Sequence, residues 1–150
     1  MHAIELHGRS YRLPDCPVVV ICADGCDPSY IEAGLAAGVL PTVARWQRDG
    51  FYALAEAAMP TFTNPNNLSI VTGAPPSVHG ISGNFALDRD SGAEIMMTDP
   101  EMVRGATILA LMSQAGVPVA AVTAKDKLRR MLGRGLDIGH GGICFSSERA

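Results

Sequence analysis

Residues 17–23 read Pro-Val-Val-Val-Ile-Cys-Ala, a continuous apolar run in which β-branched side chains dominate. A short run of this kind, bounded by turn residues, predicts a β-strand that is buried on both faces. The turn residues Asp24 and Gly25 follow it directly, and the next segment predicts a helix over residues 27–37. This order of strand, turn and helix is typical of a parallel sheet that is covered by helices.

The same alternation of apolar runs and helical stretches continues along the rest of the chain. Residues 117–122 predict a second strand, and residues 51–59 are a weaker candidate because alanines are frequent there. Residues 74–98 are rich in Gly, Pro, Ser and Asp and predict a long loop with one hairpin, a kind of loop that is usually functional. Further predicted helices cover residues 42–48, 68–72, 107–115 and 127–132, and a last short strand covers residues 143–145. We therefore predict an α/β fold with a mostly parallel sheet sandwiched between helices.

The composition restricts the class of protein and of partner. The 150 residues suffice for one domain, and 47% hydrophobic against 18% charged residues excludes a disordered chain. The net charge of −3 excludes a polycationic surface for nucleic acid, and the 5% aromatic content weakens the case for a base-stacking surface. No apolar run is long enough to span a membrane, and the N-terminus lacks the apolar core of a signal peptide. We expect a cytoplasmic protein with reduced cysteines and with neither a nucleic-acid nor a membrane partner.

Three polar segments follow predicted strands, which is where parallel α/β sheets collect their functional residues. Asp24 follows the first strand, residues 60–67 follow the weaker one, and residues 123–127 follow the strand over residues 117–122. Because the carboxyl ends of parallel strands lie at one edge of the sheet, we expect the three segments to converge there.

Residue types alone leave the roles of the first two segments open. Asp24 can bind a metal ion, accept a hydrogen bond from a turn amide or cap the following helix. Thr63 and Asn64 precede Pro65, so either of them can cap a helix, or the Thr63 hydroxyl can face an anion at the helix N-terminus. Such a hydroxyl is a weak nucleophile unless a base or a metal removes its proton.

The third segment holds both lysines of the chain, Lys125 and Lys127. Two lysines at positions i and i+2 of an extended segment point the same way and can hold one anionic group. A solvated loop explains the same pattern equally well.

Three stretches together resemble the alkaline phosphatase superfamily, in particular its phosphodiesterase-like branch. Residues 61–84 read TFTNPNNLSIVTGAPPSVHGISGN, which is similar to the nucleophile segment of that branch: a Thr before a Pro-Asn step, then VTG, HG and Asn. Residues 18–26 (VVVICADGC) and 122–133 (VTAKDKLRRMLG) extend the match, and the Lys-Asp-Lys element is similar to that of members that cleave the carbon–phosphorus bond of a small carboxylated phosphonate. The resemblance implies that residues 1–150 are the N-terminal portion of a single alkaline-phosphatase-like domain whose core is incomplete in this chain.

The resemblance also implies a role for each site residue in a metal-dependent hydrolase. Thr63 is the expected nucleophile, and Asp24 and Thr63 are the expected ligands to one zinc of a two-zinc centre. Asn84 is expected to donate to a phosphoryl oxygen, and Lys125 and Lys127 are expected to pair with the carboxylate of the phosphonate substrate. A homodimer is a further expectation for such an enzyme.

The sequence departs from the superfamily pattern in its metal ligands. The other ligands of the two-zinc centre are two aspartates and three histidines, in an Asp-x₃-His, an Asp-His pair and a late His. None of these occurs here; residues 137–140 have the wrong spacing, and His79 receives no ligand role. We therefore expect this chain alone to be inactive or nearly so. The alternatives are a nucleotide phosphodiesterase or pyrophosphatase of the same superfamily, in which the lysines serve another purpose, and a truncated chain that catalyses nothing.

Overall fold

A computed structural model describes residues 3–149 and confirms the α/β class. The helices are α1 (Pro28–Ala36), α2 (Pro41–Asp49), α3 (Thr63–Thr72), α4 (Pro76–His79), α5 (Ile108–Gln114) and α6 (Asp126–Leu132). The strands are β1 (Ala3–Leu6), β2 (Arg9–Arg12), β3 (Phe85–Leu87), β4 (Glu94–Met96), β5 (Val119–Thr123) and β6 (Gly142–Ser146). Two 3₁₀ turns cover Pro100–Met102 and Ser147–Arg149.

The described residues divide into two compact units. Residues 17–56 form the smaller unit, which holds α1 and α2, and residues 3–16 together with residues 57–149 form the larger one. Helix α1 starts as predicted, because Asp27 accepts a hydrogen bond from the backbone N–H of Ser29 at 2.9 Å and Pro28 occupies the first helical position. Capping by Asp27 excludes the alternative that Asp24 caps this helix.

The core of the larger unit is formed by α3, α6 and the parallel pair β5–β6. Leu68 and Met131 are fully buried in it. Strand β5 turns Val119 and Ala121 toward this core and leaves Val122 exposed, the alternation of a strand with one covered face. The register pairs Thr123 at the end of β5 with Ser146 at the end of β6, so the segments that follow the two strands lie side by side.

The described residues form three two-stranded sheets, whereas the sequence predicts one mostly parallel sheet. Among residues 3–149, β5–β6 is the parallel pair, and β1–β2 and β3–β4 are antiparallel hairpins. Hairpin β3–β4 is the one predicted within residues 74–98. Hairpin β1–β2 is missing from the sequence prediction because each of its strands, AIEL and RSYR, is only four residues long.

The strand predictions for residues 17–23 and 51–59 are wrong. Both segments lie outside any strand, and the side chains from Val18 to Ile21 are 69–81% exposed. A strand needs a neighbouring strand to satisfy its backbone N–H and C=O groups, and residues 17–56 form two helices and no strand. Apolar, β-branched residues favour extended structure, but a strand forms only where another strand lies beside it to pair with.

All four cysteines, Cys16, Cys22, Cys26 and Cys144, are free thiols. Within residues 3–149, no helix has both the length and the hydrophobicity that crossing a membrane requires.

Candidate active site

A cavity of about 490 Å³ opens in the larger unit beside the start of α3, hairpin β3–β4 and the start of α6. Four of the predicted site residues line it, namely Thr63, Asn84, Lys125 and Lys127. The other lining residues are Thr61, Phe62, Asn64, Phe85, Met96, Thr98 and Glu148. The predicted convergence is therefore confirmed for the segments over residues 60–67 and 123–127.

Thr63 is the first residue of α3, which is longer at its N-terminus than the predicted helix over residues 68–72. The helix includes Pro65 because a proline in the first turn removes an N–H that has no partner within the helix. Phe62 occupies the N-cap position without a side-chain hydrogen bond, so the prediction that Thr63 or Asn64 caps the helix is wrong. The N-terminal end of α3 thus meets the cavity, where its amides and dipole favour an anion.

Asn66 fastens the segment that leads to Thr63, and sequence reasoning missed this residue. Its Oδ1 accepts from the Ala58 N–H at 2.7 Å, and its Nδ2 donates to the carbonyls of Ala58 at 3.2 Å and Phe62 at 3.1 Å. Asn67 adds a bond from its Nδ2 to the Thr63 carbonyl at 2.9 Å. The Asn66 amide thus joins the approach segment to the first turn of α3, whereas the Asn67 bond lies within the helix. The three asparagines within residues 64–67, at the start of the helix, were the available signal.

His79 is fully buried and uses both ring nitrogens for contacts within the protein. Its Nδ1 accepts from the Ile81 N–H at 3.2 Å, so the proton lies on Nε2, which is 3.0 Å from the Ser69 hydroxyl oxygen. Burial holds the pKa of His79 below its usual value. The Ser69 hydroxyl oxygen therefore accepts from His79. Thr72 bonds back to a helix carbonyl, from its Oγ1 to the Leu68 carbonyl at 2.6 Å.

Asn84 reaches the cavity from the base of hairpin β3–β4. Its carbonyl accepts from the Met97 N–H at 2.8 Å, a bond that closes the base of the hairpin and fixes the Asn84 backbone. The next residue, Phe85, pairs with Met96 across the hairpin, and both side chains are about half exposed along the cavity wall. The wall thus places an amide beside an apolar surface.

Both lysines line the cavity, but their backbone differs from the prediction. Lys125 is extended (φ −119°, ψ 132°) and precedes α6, whereas Lys127 lies in the first turn of that helix. The extended i, i+2 geometry is therefore wrong, because the helix begins at Asp126. Both exposed side chains nevertheless border the same space, so they can act on one anion.

Asp24 lies in the smaller unit, in a turn in which the Cys26 N–H donates to the Ala23 carbonyl at 3.1 Å. Gly25 has φ +76°, a conformation that favours glycine. The position of Asp24 relative to the cavity stays a prediction. Within residues 3–149, no three His, Cys, Asp or Glu side chains cluster so that they could hold a metal ion.

Comparison with known proteins decides the family. A family model described as type I phosphodiesterase / nucleotide pyrophosphatase matches residues 18–129, about three quarters of the chain. The chain belongs to this family. The resemblance to the phosphodiesterase-like branch of the alkaline phosphatase superfamily is thereby confirmed, and that superfamily is metal-dependent.

Solved structures and curated relatives refine the comparison. Phosphonoacetate hydrolase from Sinorhizobium meliloti 1021, solved in complex with phosphonoacetate, superposes with a TM-score of 0.93 at 47% identity over 98% of this chain. The same enzyme with phosphonoformate gives a TM-score of 0.92 and 48% identity. Mouse ectonucleotide pyrophosphatase/phosphodiesterase family member 1 is 31% identical over 106 residues, 65% of this chain. An uncharacterized pyrophosphatase/phosphodiesterase of Schizosaccharomyces pombe is 31% identical over 84 residues, 56% of this chain.

This chain is short beside all of these proteins. It spans 36% of the solved hydrolase, 12% of the mouse protein and 17% of the yeast protein.

Proposed function

We propose that this chain supplies the nucleophile and the substrate-binding cavity of a phosphonoacetate hydrolase, which converts phosphonoacetate and water to acetate and phosphate. One observation carries the proposal: a single cavity gathers Thr63, Asn84 and both lysines of the chain. The 47% identity with a hydrolase solved with phosphonoacetate supports it.

Each residue has a role that suits its chemistry. The Thr63 hydroxyl gives up its proton to water, and its Oγ attacks phosphorus in line with the carbon–phosphorus bond, whose electron pair moves onto the methylene carbon. Lys125 and Lys127 hold the substrate carboxylate, which takes up that charge as an enolate before a proton from water gives acetate. Asn84 donates to a phosphoryl oxygen. Water then attacks the phosphothreonine and releases phosphate and the free Thr63 hydroxyl.

We propose that Asp24 and Thr63 are also ligands of a zinc centre. Carboxylate and alkoxide oxygens are suitable zinc donors, so these two residues fit a share of the site. They do not complete it, because catalytic zinc usually has three protein ligands and residues 3–149 hold no cluster of that size. When bound, zinc would lower the pKa of a hydroxyl and neutralise oxyanion charge. Residues 1–150 alone are accordingly proposed to be inactive.

The alternative is a nucleotide pyrophosphatase or phosphodiesterase. The half-exposed side chains of Phe62, Phe85 and Met96 favour it, because they give the same cavity an apolar surface on which a base could stack.

A cytoplasmic location and a homodimer are retained as proposals from the sequence.

Substrate choice separates the two functions. In the protein that carries this chain, loaded with zinc, kcat/KM is measured for phosphonoacetate and for a nitrophenyl phosphodiester. Because the lysines are exposed, replacing both with Ala should cost about 2 kcal/mol, the lower end for a broken charge pair, or about 30-fold in kcat/KM for phosphonoacetate. Turnover of the diester, which has no carboxylate, should change far less.

Arg130→Ala is the matched control, since Arg130 is an exposed cation of α6 that does not line the cavity. It should leave both substrates unaffected. Equal losses for the two substrates in the lysine variant would refute the carboxylate role and favour general steering of phosphate groups.

A further inference from the structure

The two lysines flank a small network of side chains from the segment after β6. Glu148 Oε2 accepts from the Asp126 backbone N–H at 2.6 Å, and Ser147 Oγ donates to the Ala124 carbonyl at 3.1 Å. Ser146 Oγ donates to Asp126 Oδ1 at 3.4 Å, and the Arg149 guanidinium lies 3.5 Å from Asp126 Oδ2. Residues 146–149 thus hold residues 124–126 from one side.

We propose that Glu148 is a positioning residue for the lysine pair and thereby determines selectivity for a carboxylated substrate. This inference rests on the proposed function of the cavity. Lys125 and Lys127 are exposed, and each has a long side chain with about 2 kcal/mol of rotamer entropy. The backbone from which they project is therefore the part of the pair that the protein can fix, and Glu148 holds the amide that lies between them.

The charge of Glu148 makes this role testable. Glu148 itself lines the cavity, so its carboxylate opposes the binding of an anion there. If charge were its only effect, any neutral substitution would strengthen the binding of phosphonoacetate. If it positions the lysines, the outcome depends on whether the replacement can still accept a hydrogen bond from Asp126. Glu148→Gln keeps an acceptor oxygen without the charge, and Glu148→Ala removes both.

Kinetics of the zinc-loaded protein that carries this chain give the first test. Glu148→Ala should raise KM for phosphonoacetate about five- to ten-fold with kcat nearly unchanged, the loss expected for one charge-assisted hydrogen bond. Glu148→Gln should keep KM at or below the wild-type value. Neither variant should raise KM for the nitrophenyl phosphodiester. Glu5→Ala, which removes an exposed carboxylate of β1 away from the cavity, is the matched control.

Amide hydrogen exchange gives a test that is independent of turnover. The Asp126 amide should exchange slowly in the wild type and in Glu148→Gln, and faster in Glu148→Ala. A lower KM in both Glu148 variants, equal losses for both substrates, or unchanged exchange in Glu148→Ala would overturn the proposal. If the wild type does not hydrolyse phosphonoacetate, the proposed function fails, whereas the exchange experiment still decides whether Glu148 holds the amide between the lysines.

Discussion

Removing the Asn66 side chain should loosen the approach to Thr63. The Asn66→Ala variant loses three hydrogen bonds, two to the backbone of Ala58 and one to the carbonyl of Phe62. Both Ala58 bonds are partly buried, whereas the Phe62 carbonyl is exposed and can bond to water in the variant. The approach segment ends at Thr61 and Phe62, which line the cavity, so its order bears on the site as well as on stability.

The cost follows from the two partly buried bonds. Each contributes about 1 kcal/mol net, and the donor and acceptor left behind on Ala58 add part of a desolvation penalty. Alanine has a more favourable helix propensity than asparagine by a little over ~0.5 kcal/mol, which offsets part of this cost. The expected loss in the free energy of unfolding is therefore about 2 kcal/mol. Asn67→Ala gains the same propensity and loses one partly buried bond, to Thr63, so it should cost about 0.5 kcal/mol.

Urea unfolding of the two variants measures this difference, and hydrogen exchange at the Ala58 amide locates it. Asn66→Ala should be the less stable variant by more than 1 kcal/mol and should exchange faster at Ala58, whereas Asn67→Ala should keep wild-type exchange there. Equal stability of the two variants, or an unchanged Ala58 amide in Asn66→Ala, would refute the reasoning.

Two further predictions concern protons and metal. Burial lowers the pKa of His79, so the unfolded chain takes up a proton at this residue at a higher pH than the folded chain does. The free energy of unfolding should therefore fall as the pH drops below about 6.5, by at most about 1.4 kcal/mol per pH unit. His79→Gln should weaken this dependence. His140→Gln should not weaken it, because Asp137 raises the pKa of that exposed imidazole and its contribution to stability has the opposite sign. Equal pH slopes in the wild type and His79→Gln would count against the prediction. Equilibrium dialysis of residues 1–150 with zinc should find no tight site, and stoichiometric binding abolished by Asp24→Ala would contradict the incomplete ligand set.

Local signals in the sequence predict most helices and the elements near the site. These signals act within a few residues of chain, so they can be recognised without knowledge of the fold. Examples are Asp27 and Pro28 at the start of α1, the Thr107 side chain that caps α5, and the apolar residues of β5. Residues 60–67 and 123–127 also share a cavity as predicted, although the strand predicted before residues 60–67 does not form.

The strand and the contact that the sequence does not predict correctly depend on residues that are distant along the chain. The run over residues 17–23 has the composition of a buried strand, but pairing depends on a neighbour that composition does not reveal. The start of α3 is predicted too late, because Thr63 and Asn64 are taken as candidate caps before a first-turn Pro65, whereas Phe62 is the N-cap and both residues already belong to the helix. Glu148 lies 22 residues from Asp126, and only the parallel register of β5 and β6 brings them together.

Trapping the phosphorylated protein tests most directly whether Thr63 attacks phosphorus. The zinc-loaded protein that carries this chain is quenched in acid during turnover of phosphonoacetate, and the peptide that contains Thr61 and Thr63 is mapped by mass spectrometry. We expect one phosphoryl group on Thr63, its loss together with turnover in Thr63→Ala, and its retention in Thr61→Ala. A phosphoryl group on Thr61, or undiminished turnover by Thr63→Ala, would contradict the assignment of Thr63 as the nucleophile.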